Sequence, residues 1–326
     1  MAGLRLASNL VPFARLSDRF VPSGYRQGHS FERQMEMLSS IEGITGVALG
    51  YPHPAAKNGK ALKKLAENHG LSWALSDADI YTEERFKNGS LSNRDPKIRA
   101  AAIARIKEAI DGSAEGGVET MNLWLGHDGF DYSFQSDYDN AWRWILEGLE
   151  TIADYSTSPL IICLEPKRKE PRSNTHLADT GVALFVLAKL NRPNLGLTLD
   201  YGHSLAALEN PAEAAVMAMR ENRLKQIHIN DNRREWDLDL VPGSATVWEH
   251  IEFYYWLQRM KYTGWLSTDI YPWREDGIEV LRRTVQVHRK CEAAAKHLAA
   301  MDAKTIIRNG KHMEMMKLLW DMVQPS

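Results

Sequence analysis

The feature of this sequence that most constrains its fold is an alternation of short apolar runs with longer amphipathic stretches. Eight apolar runs occur, and each has the length of one buried β-strand. The stretches between them are long enough to hold a helix that connects two parallel strands. Eight alternating units predict an α/β fold, the (β/α)8 or TIM barrel, with a doubly wound sheet as the alternative. The runs cover residues 4–9, 44–50, 71–76, 120–125, 160–165, 195–200, 226–230 and 264–270.

Helix signals occur in the stretches between the runs. Asp95 followed by Pro96 predicts a helix start, because Asp caps the first turn and Pro suits the first helical position. Apolar residues then recur at helical spacing until the paired glycines at 116–117, which predict the helix end. A similar helix is predicted over residues 137–155.

The chain continues past the eighth run as helix. Residues 279–301 and 305–323 are each predicted to form one helix, and the second carries an apolar face. That face must pack on the barrel or on a neighbouring subunit. We therefore predict one barrel domain over residues 1–275 and a C-terminal helical arm over residues 276–326, which is not a separate domain.

Composition excludes several classes of function. The formal net charge is only −2, from 40 Lys and Arg against 42 Asp and Glu, which argues against nucleic acid or an anionic membrane as partner. No run of 18 apolar residues exists and the N-terminus lacks a signal-peptide core, so we expect no membrane segment and no secretion. The two cysteines, Cys163 and Cys291, offer no disulfide framework, which favours a reducing, cytoplasmic location.

Acidic and imidazole side chains occur at the ends of the last four runs. Glu165 and Asp200 end the fifth and sixth, and His228 and Asp269 lie near the ends of the seventh and eighth. Barrel active sites lie at these strand ends, where the four side chains would converge. Neighbouring carboxylates repel one another unless a cation lies between them. Three oxygen donors and one imidazole suit Mn²⁺, Mg²⁺ or Co²⁺ better than a thiolate zinc site. A single acid after a strand is more simply a helix cap or a surface charge, but four in succession favour a metal site.

A second set of ligand types lies beside the first. Asp200 could bridge two cations, with His203, Asp237 and Asp239 completing the second site. The alternative is that Asp237 and Asp239 form a solvated loop pair. Lys167 follows Glu165 by two residues, so both side chains leave an extended chain on the same side. Its ammonium could contact a substrate oxygen, or it could form a loop salt bridge.

These residues lie in motifs that resemble those of xylose isomerases. Residues 164–167 with 170–171 resemble the family's Glu-Pro-Lys-Pro-x-Glu-Pro, and residues 200–203 resemble its Glu-x-Gly-His. Residues 228–230 and 236–240 resemble its Asp-Leu-Asn followed by Phe-Asp-x-Asp-Leu. Residues 268–272 resemble its Asp-Tyr-Lys-Pro, and residues 93–99 and 124–129 are similar to segments after its third and fourth strands.

The resemblance implies a two-metal aldose–ketose isomerase on a (β/α)8 barrel, and it implies a role for each matched residue. Lys167 resembles the lysine that polarises the substrate carbonyl oxygen, and Trp124 resembles the aromatic wall of the sugar site. The two divalent cations would be Mn²⁺, Mg²⁺ or Co²⁺. Glu165, Asp200, His228 and Asp269 resemble the structural-metal ligands, and Asp200, His203, Asp237 and Asp239 resemble the catalytic-metal ligands. We assign catalysis to Lys167, Asp237 and Glu165, and substrate binding to Trp124, His53, His203 and Asn230.

Three departures from the xylose isomerase pattern bear on the substrate. The Asp200 and His228 combination is more similar to rhamnose isomerases and ketose 3-epimerases, and the chain is shorter than typical xylose isomerases. The ring-opening histidine of the family, at the end of the second strand, is matched here by Gly50. His53 follows three residues later. Xylose is therefore not expected to be the substrate.

The favoured hypothesis is an isomerase that interconverts an aldose and a ketose by a metal-assisted hydride shift. The alternatives are a ketose 3-epimerase, or a metal-dependent lyase or decarboxylase that acts through an enediolate. An apurinic-site endonuclease would need a basic face, which the net charge disfavours. A non-catalytic barrel should have lost ligands, and none is missing. We expect a small sugar as substrate, and the resemblance suggests a homodimer or homotetramer.

Overall fold

Eight parallel strands form a closed barrel in the computed structural model, which describes residues 3–322. Each strand pairs with the next along the chain, and the last pairs with the first, with Arg5 opposite Trp265. Each of the eight apolar runs overlaps one barrel strand, so the predicted (β/α)8 fold is confirmed. The strands are β1 (Arg5–Ser8), β2 (Ile44–Ala48), β3 (Ser72–Asp77), β4 (Thr120–Trp124), β5 (Ile161–Glu165), β6 (Leu195–Asp200), β7 (Leu224–Ile229) and β8 (Trp265–Thr268).

Helices connect the strands and surround the barrel. A two-stranded antiparallel sheet, Gly129–Phe130 with Asn174–Thr175, joins the loops that follow β4 and β5. Short 3₁₀ turns occur at Val11–Phe13 and Glu84–Phe86. The helices are α1 (Phe31–Ser39), α2 (Gly59–Asn68), α3 (Pro96–Gly116), α4 (Tyr138–Tyr155), α5 (Thr180–Leu190), α6 (Tyr201–Ala206), α7 (Pro211–Arg220), α8 (Val247–Arg259), α9 (Gly277–Ala300), α10 (Ala303–Arg308) and α11 (His312–Asp321).

The expected capping residues define the ends of α3 and the start of α4. The Asp95 carboxylate accepts a hydrogen bond from the backbone N–H of Lys97 at 2.8 Å. Gly117 ends α3 with a φ of 72°, the left-handed conformation that glycine adopts at no steric cost. Asp137 caps α4 through the backbone N–H of Asn140. Both predicted helices are therefore confirmed.

The bottom of the barrel is filled by a few side chains that include one large aromatic ring. Trp265 packs there with Ala7 and Ala74. A Cβ at Gly46 would lie 2.7 Å from the Cβ of Ala74 and 2.8 Å from the Trp265 ring. The glycine in β2 therefore makes room for the tryptophan. These apolar side chains close the amino-terminal end of the barrel.

An irregularity in β3 changes which side chains face inward. Trp73 pairs with Val47 and Leu75 pairs with Ala48, so β3 has one extra residue at this point. Ala74 faces the barrel interior, yet the Ser76 hydroxyl lies 2.7 Å from that of Ser113 on α3, outside the barrel. The extra residue thus turns Asp77 toward the interior at the carboxyl end of β3.

The chain after β8 packs on the barrel's own helices. In α9, the His288 ring lies 2.9 Å from the Tyr254 hydroxyl of α8, and Glu292 accepts a hydrogen bond from the backbone N–H of Leu4. The prediction of one helix over residues 305–323 is wrong, because the chain breaks into α10 and α11 at Gly310, where φ is 65°. Trp320 of α11 contacts Trp248 of α8, with ring centroids 5.8 Å apart.

Part of the apolar face of α11 remains exposed, including Met313 and Met316. Val323 lies outside the described residues, and the domain boundary at residue 275 stays a prediction. Within residues 3–322, no helix has the length and apolar character needed to cross a bilayer.

Candidate active site

Four potential metal ligands converge at the carboxyl end of the barrel. Glu165 and Asp200 are the last residues of β5 and β6, His228 is in β7, and Asp269 directly follows β8. One ligand atom from each lies within 4.8 Å of the others. The Nδ1 atom of His228 is 3.0 Å from Glu165 Oε1. The sequence prediction that these four side chains meet is confirmed.

Neutral amides, rather than lysine or arginine, hold the three carboxylates of this cluster. Asn9 donates to Asp269 at 2.9 Å, and Asn122 donates to Glu165 at 2.5 Å. Asn230 donates to both oxygens of Asp200, at 3.1 and 3.3 Å. These amides orient the carboxylates without neutralising them.

The pKa values in this cluster follow from burial and charge. Burial raises the pKa of Asp200 to about 6. Burial alone would lower the pKa of His228, but Glu165 raises it to about 10. Burial opposes the ionised form of Glu165 as well, yet the charge of His228 brings its pKa down to about 2. In the absence of a cation, a charged imidazole therefore balances part of the carboxylate charge.

The donor set fits a divalent cation. Buried carboxylates paired only with amides and histidines leave negative charge that a hard cation would neutralise. Oxygen donors with one imidazole suit Mg²⁺, Mn²⁺ or Co²⁺. Within residues 3–322, no other group of histidine, cysteine and acidic side chains converges as tightly.

The second predicted ligand set lies in the same region but makes different hydrogen bonds and ion pairs. It consists of Asp200, His203, Asp237 and Asp239. His203 Nε2 is 3.1 Å from Asp237 Oδ2, and its Nδ1 is 3.1 Å from the carbonyl oxygen of Pro166. The Asn230 amide that holds Asp200 also donates to Asp239 at 2.9 Å. Burial and then the charge of Asp237 raise the pKa of Asp239 well above its usual range. The four residues are brought together, and a cation here stays a prediction.

Lys167 lies in an ion pair at the edge of this second set. Its Nζ is 2.8 Å from Asp237 Oδ2 and 3.3 Å from Glu170 Oε2. It also lies 5.2 Å from the centre of the Trp124 ring. Burial would lower the pKa of Lys167, but Asp237 and Glu170 raise it above its usual range. Lys167 is therefore a buried, fully charged ammonium next to the ligand cluster.

Aromatic rings border the ammonium. The Trp124 and Tyr81 rings meet edge to face with centroids 4.6 Å apart. Trp124 thus contacts both Tyr81 and Lys167, and its role as a wall of the sugar site stays a prediction. Tyr81 was not among the predicted residues.

Asp77 is a further site residue that the sequence analysis did not identify. Its carboxylate accepts hydrogen bonds from the Tyr81 hydroxyl and from the Asn122 amide, both at 3.2 Å. The same Asn122 nitrogen donates to Glu165, so Asp77 is a close neighbour of the ligand cluster. Burial, followed by the charge of Glu165, raises the pKa of Asp77 to about 7. An acid directly after the third apolar run was the available signal, as it was for Glu165 and Asp200.

His53 lies apart from the cluster. Its ring packs on Phe31 with centroids 4.7 Å apart, and its Nδ1 accepts a hydrogen bond from the backbone N–H of Ala55 at 3.2 Å. Across the described part of the chain, no hydrogen bond or ion pair links His53 to the four ligands. Gly50 instead lies beside Asp77, since a Cβ there would be 3.3 Å from the Asp77 carbonyl oxygen. A role for His53 in sugar binding stays a prediction.

The fold and the site define a class: a (β/α)8 barrel with a carboxylate and histidine cluster at the carboxyl ends of its strands. Residues 36–291 match the family described as xylose isomerase-like TIM barrel. The chain belongs to this family.

Proteins similar to this chain include a xylose isomerase by sequence and epimerases by fold. The xylose isomerase of Thermus thermophilus is 30% identical over 193 residues, which are 58% of this chain and 50% of that protein. The chain therefore matches about half the length of this curated relative. A solved D-tagatose 3-epimerase-like protein has a TM-score of 0.64 at 19% identity, over 88% of this chain and 99% of that one. D-allulose 3-epimerase from Methylomonas sp. has a TM-score of 0.63 at 17% identity, over 90% of this chain and 97% of that one. At these identities the two structures show a shared fold.

Proposed function

We propose that this protein is a divalent-metal-dependent sugar isomerase that interconverts an aldose and a ketose. The observation that carries the proposal is the cluster of Glu165, Asp200, His228 and Asp269, with the charged Lys167 beside it. The isomerase family, the ligand chemistry and the buried ammonium all support it. Isomerisation moves a hydride between two neighbouring carbons and a proton between their oxygens. The site must therefore stabilise negative charge on a carbonyl oxygen and transfer one proton between the two oxygens.

The four clustered residues would hold one cation, and His203, Asp237 and Asp239 with Asp200 would hold a second. A divalent cation supplies Lewis acidity, which polarises sugar oxygens and lowers the pKa of water. The Asn122 and Asn230 amides would orient the Glu165 and Asp200 carboxylates toward the cation through their hydrogen bonds.

Lys167 would stabilise negative charge on the substrate oxygen. A charge that is already oriented in a water-poor site stabilises a transition state without reorganising. Asp237 holds the ammonium in place, since the pKa of Asp237 stays below its usual range: His203 and Lys167 outweigh the effect of burial. Trp124 shields this ion pair on one side.

Asp77 would bind a sugar hydroxyl on the β2 and β3 side of the site. Within residues 3–322 its carboxylate has no lysine or arginine in an ion pair, so it can accept a hydrogen bond from a substrate hydroxyl. Gly50 packs beside it, where a Cβ would lie 3.3 Å from the Asp77 carbonyl oxygen. We propose that Asp77, rather than His53, interacts with the sugar at this side.

A ketose 3-epimerase is the second candidate, and two observations favour it. Among the described residues, a single tight ligand group converges, which is compatible with one cation. Asp77 is also a carboxyl with a pKa of about 7, suited to proton transfer near neutral pH.

Incubating a panel of aldoses and ketoses with the protein in heavy water with Mn²⁺ distinguishes isomerase from epimerase chemistry. We expect product without solvent deuterium at the reacting carbon, as a hydride shift requires. Deuterium at that carbon would show proton transfer and would replace the isomerase proposal with the epimerase or an enediolate route. We further propose that the protein forms a homodimer or homotetramer, which light scattering in solution would test.

A further inference from the structure

The side chain of Gln226 lies directly behind the metal-ligand candidate His228. Gln226 is in β7, two residues before His228, and its side chain is 1% exposed. Its amide nitrogen is 2.9 Å from His228 Nε2. The opposite ring nitrogen, Nδ1, lies 3.0 Å from Glu165 Oε1 and 3.9 Å from Asp200 Oδ2. His228 therefore presents Nδ1 to the cluster and Nε2 to Gln226.

Only one protonation state of His228 can bind a cation through Nδ1. The Nδ1 lone pair must be free, so the ring proton must be on Nε2, where it needs an acceptor. With the amide nitrogen of Gln226 against Nε2, two donors would face each other. A half-turn of the amide would replace that nitrogen with the amide oxygen, which can accept the proton.

The environment of the Gln226 amide oxygen supports this rotated orientation. Gln226 Oε1 is buried and has no hydrogen-bond donor. A buried amide oxygen without a donor destabilises the folded protein, so the present orientation leaves a penalty that rotation would relieve. The donor available beside Gln226 is the Nε2–H of a His228 ring.

We propose that Gln226 is a positioning residue for the cation site: its amide oxygen accepts the Nε2–H of His228 and thereby directs the Nδ1 lone pair at the metal. The inference rests on the cluster of the proposed function, but it concerns metal affinity and not the sugar reaction. Gln226 itself contacts neither cation nor substrate.

The test is Mn²⁺ binding to the full-length, metal-stripped protein, measured by calorimetry. Gln226→Leu removes the acceptor, and we expect affinity to fall on the order of 10–100-fold, the usual effect of removing a partner of a ligating histidine. Gln226→Glu supplies a carboxylate acceptor and should bind Mn²⁺ at least as tightly as the unmodified protein. Thr198→Val is the matched control. Thr198 is paired with Gln226 in register, is equally buried, and also has an unpartnered hydroxyl oxygen. It should leave the affinity unchanged.

Equal affinity of Gln226→Leu and Thr198→Val would overturn the proposal. If Gln226→Leu does not fold, ¹⁵N NMR of histidine in the unmodified protein loaded with Zn²⁺, a diamagnetic substitute, decides the question. A proton on Nε2 of His228 supports the assignment, and a proton on Nδ1 overturns it. Failure of the unmodified protein to bind any divalent cation would instead refute the proposed function.

Discussion

Lys167 and Asp237 form a buried ion pair, with Nζ 2.8 Å from Oδ2, although 70 positions separate them in the chain. The loop after β5 carries the lysine and the loop after β7 carries the aspartate. His203 contacts the same Asp237 oxygen at 3.1 Å. One carboxylate thus contacts both the ammonium and the second group of ligand candidates.

Loss of the Lys167 ammonium should abolish most of the turnover. We expect Lys167→Met to lower kcat by about 100–1000-fold, the range seen when one transition-state electrostatic group is removed. Arg168→Met is the control, because Arg168 is adjacent and exposed. Steady-state kinetics on the sugar identified by the panel would measure both. A Lys167→Met variant with near-normal kcat would rule out the assigned role.

Removal of the Glu165 carboxylate should prevent cation binding. Glu165→Gln loses the ligand's negative charge and replaces one carboxylate oxygen with an NH2 group that cannot bind a cation, so we expect little or no rise in melting temperature when Mn²⁺ is added. Glu249→Gln, which changes a carboxylate paired with Arg234, should keep the full rise. Thermal unfolding with EDTA and with excess Mn²⁺ provides the measurement. An unchanged rise in Glu165→Gln would contradict the ligand assignment.

Cation affinity should increase with pH. Without a cation, the pKa of His228 is raised to about 10, so binding must displace a proton through the neutral range. One displaced proton gives about a tenfold gain in affinity per pH unit. Mn²⁺ titrations at pH 6, 7 and 8 would reveal this slope, and a pH-independent affinity would be inconsistent with a protonated His228.

Asp77→Asn should stabilise the metal-free protein at alkaline pH. The pKa of Asp77 in the folded state, about 7, lies above the unfolded value of 3.8. The contribution of protonated Asp77 to the free energy of unfolding is therefore fully present below pH 3.8 and is lost as pH rises through 7. Asn mimics the protonated acid, so the advantage of the variant should grow from pH 5 to pH 8, to roughly 1–2 kcal/mol. Urea unfolding in EDTA at pH 5 and pH 8 gives the free energy of unfolding of the variant and of the unmodified protein. A difference between the two proteins that is equal at both pH values would contradict the assigned pKa.

The number of cations should depend on the loop after β7. We expect two Mn²⁺ ions per chain in the unmodified protein and one in Asp239→Asn, because Asp239 belongs only to the second ligand set. Calorimetric stoichiometry would count them. A single ion in both proteins would refute the second cation and favour the epimerase.

Several features followed from local sequence. The eight apolar runs predicted the barrel because strand length and burial are encoded in short segments. The acids at the ends of the fifth, sixth and eighth runs predicted the ligand cluster because the ends of parallel strands must meet in a closed barrel. Asp95 and Pro96 predicted a helix start through contacts within one turn.

Other features depended on how segments meet. The inward direction of Asp77 comes from an extra residue in β3, which is visible only from its pairing with β2. The contact of Gln226 with His228, and the position of His53 against Phe31, depend on side-chain directions and loop paths. The break at Gly310 had a local signal in the Asn309–Gly310 pair, but the apolar spacing across it predicted one helix.

The sequence by itself determined the architecture and the four-residue cluster, because both depend on strand length and on the order of side chains at strand ends. Only the tertiary structure decided which of these side chains contact one another, and that Asp77 lies beside them. Lys167 meets Asp237, and Asp77 joins Glu165 through Asn122, because separate strand ends and loops converge at one end of the barrel. Such contacts depend on register and loop path, which no local pattern of residues specifies.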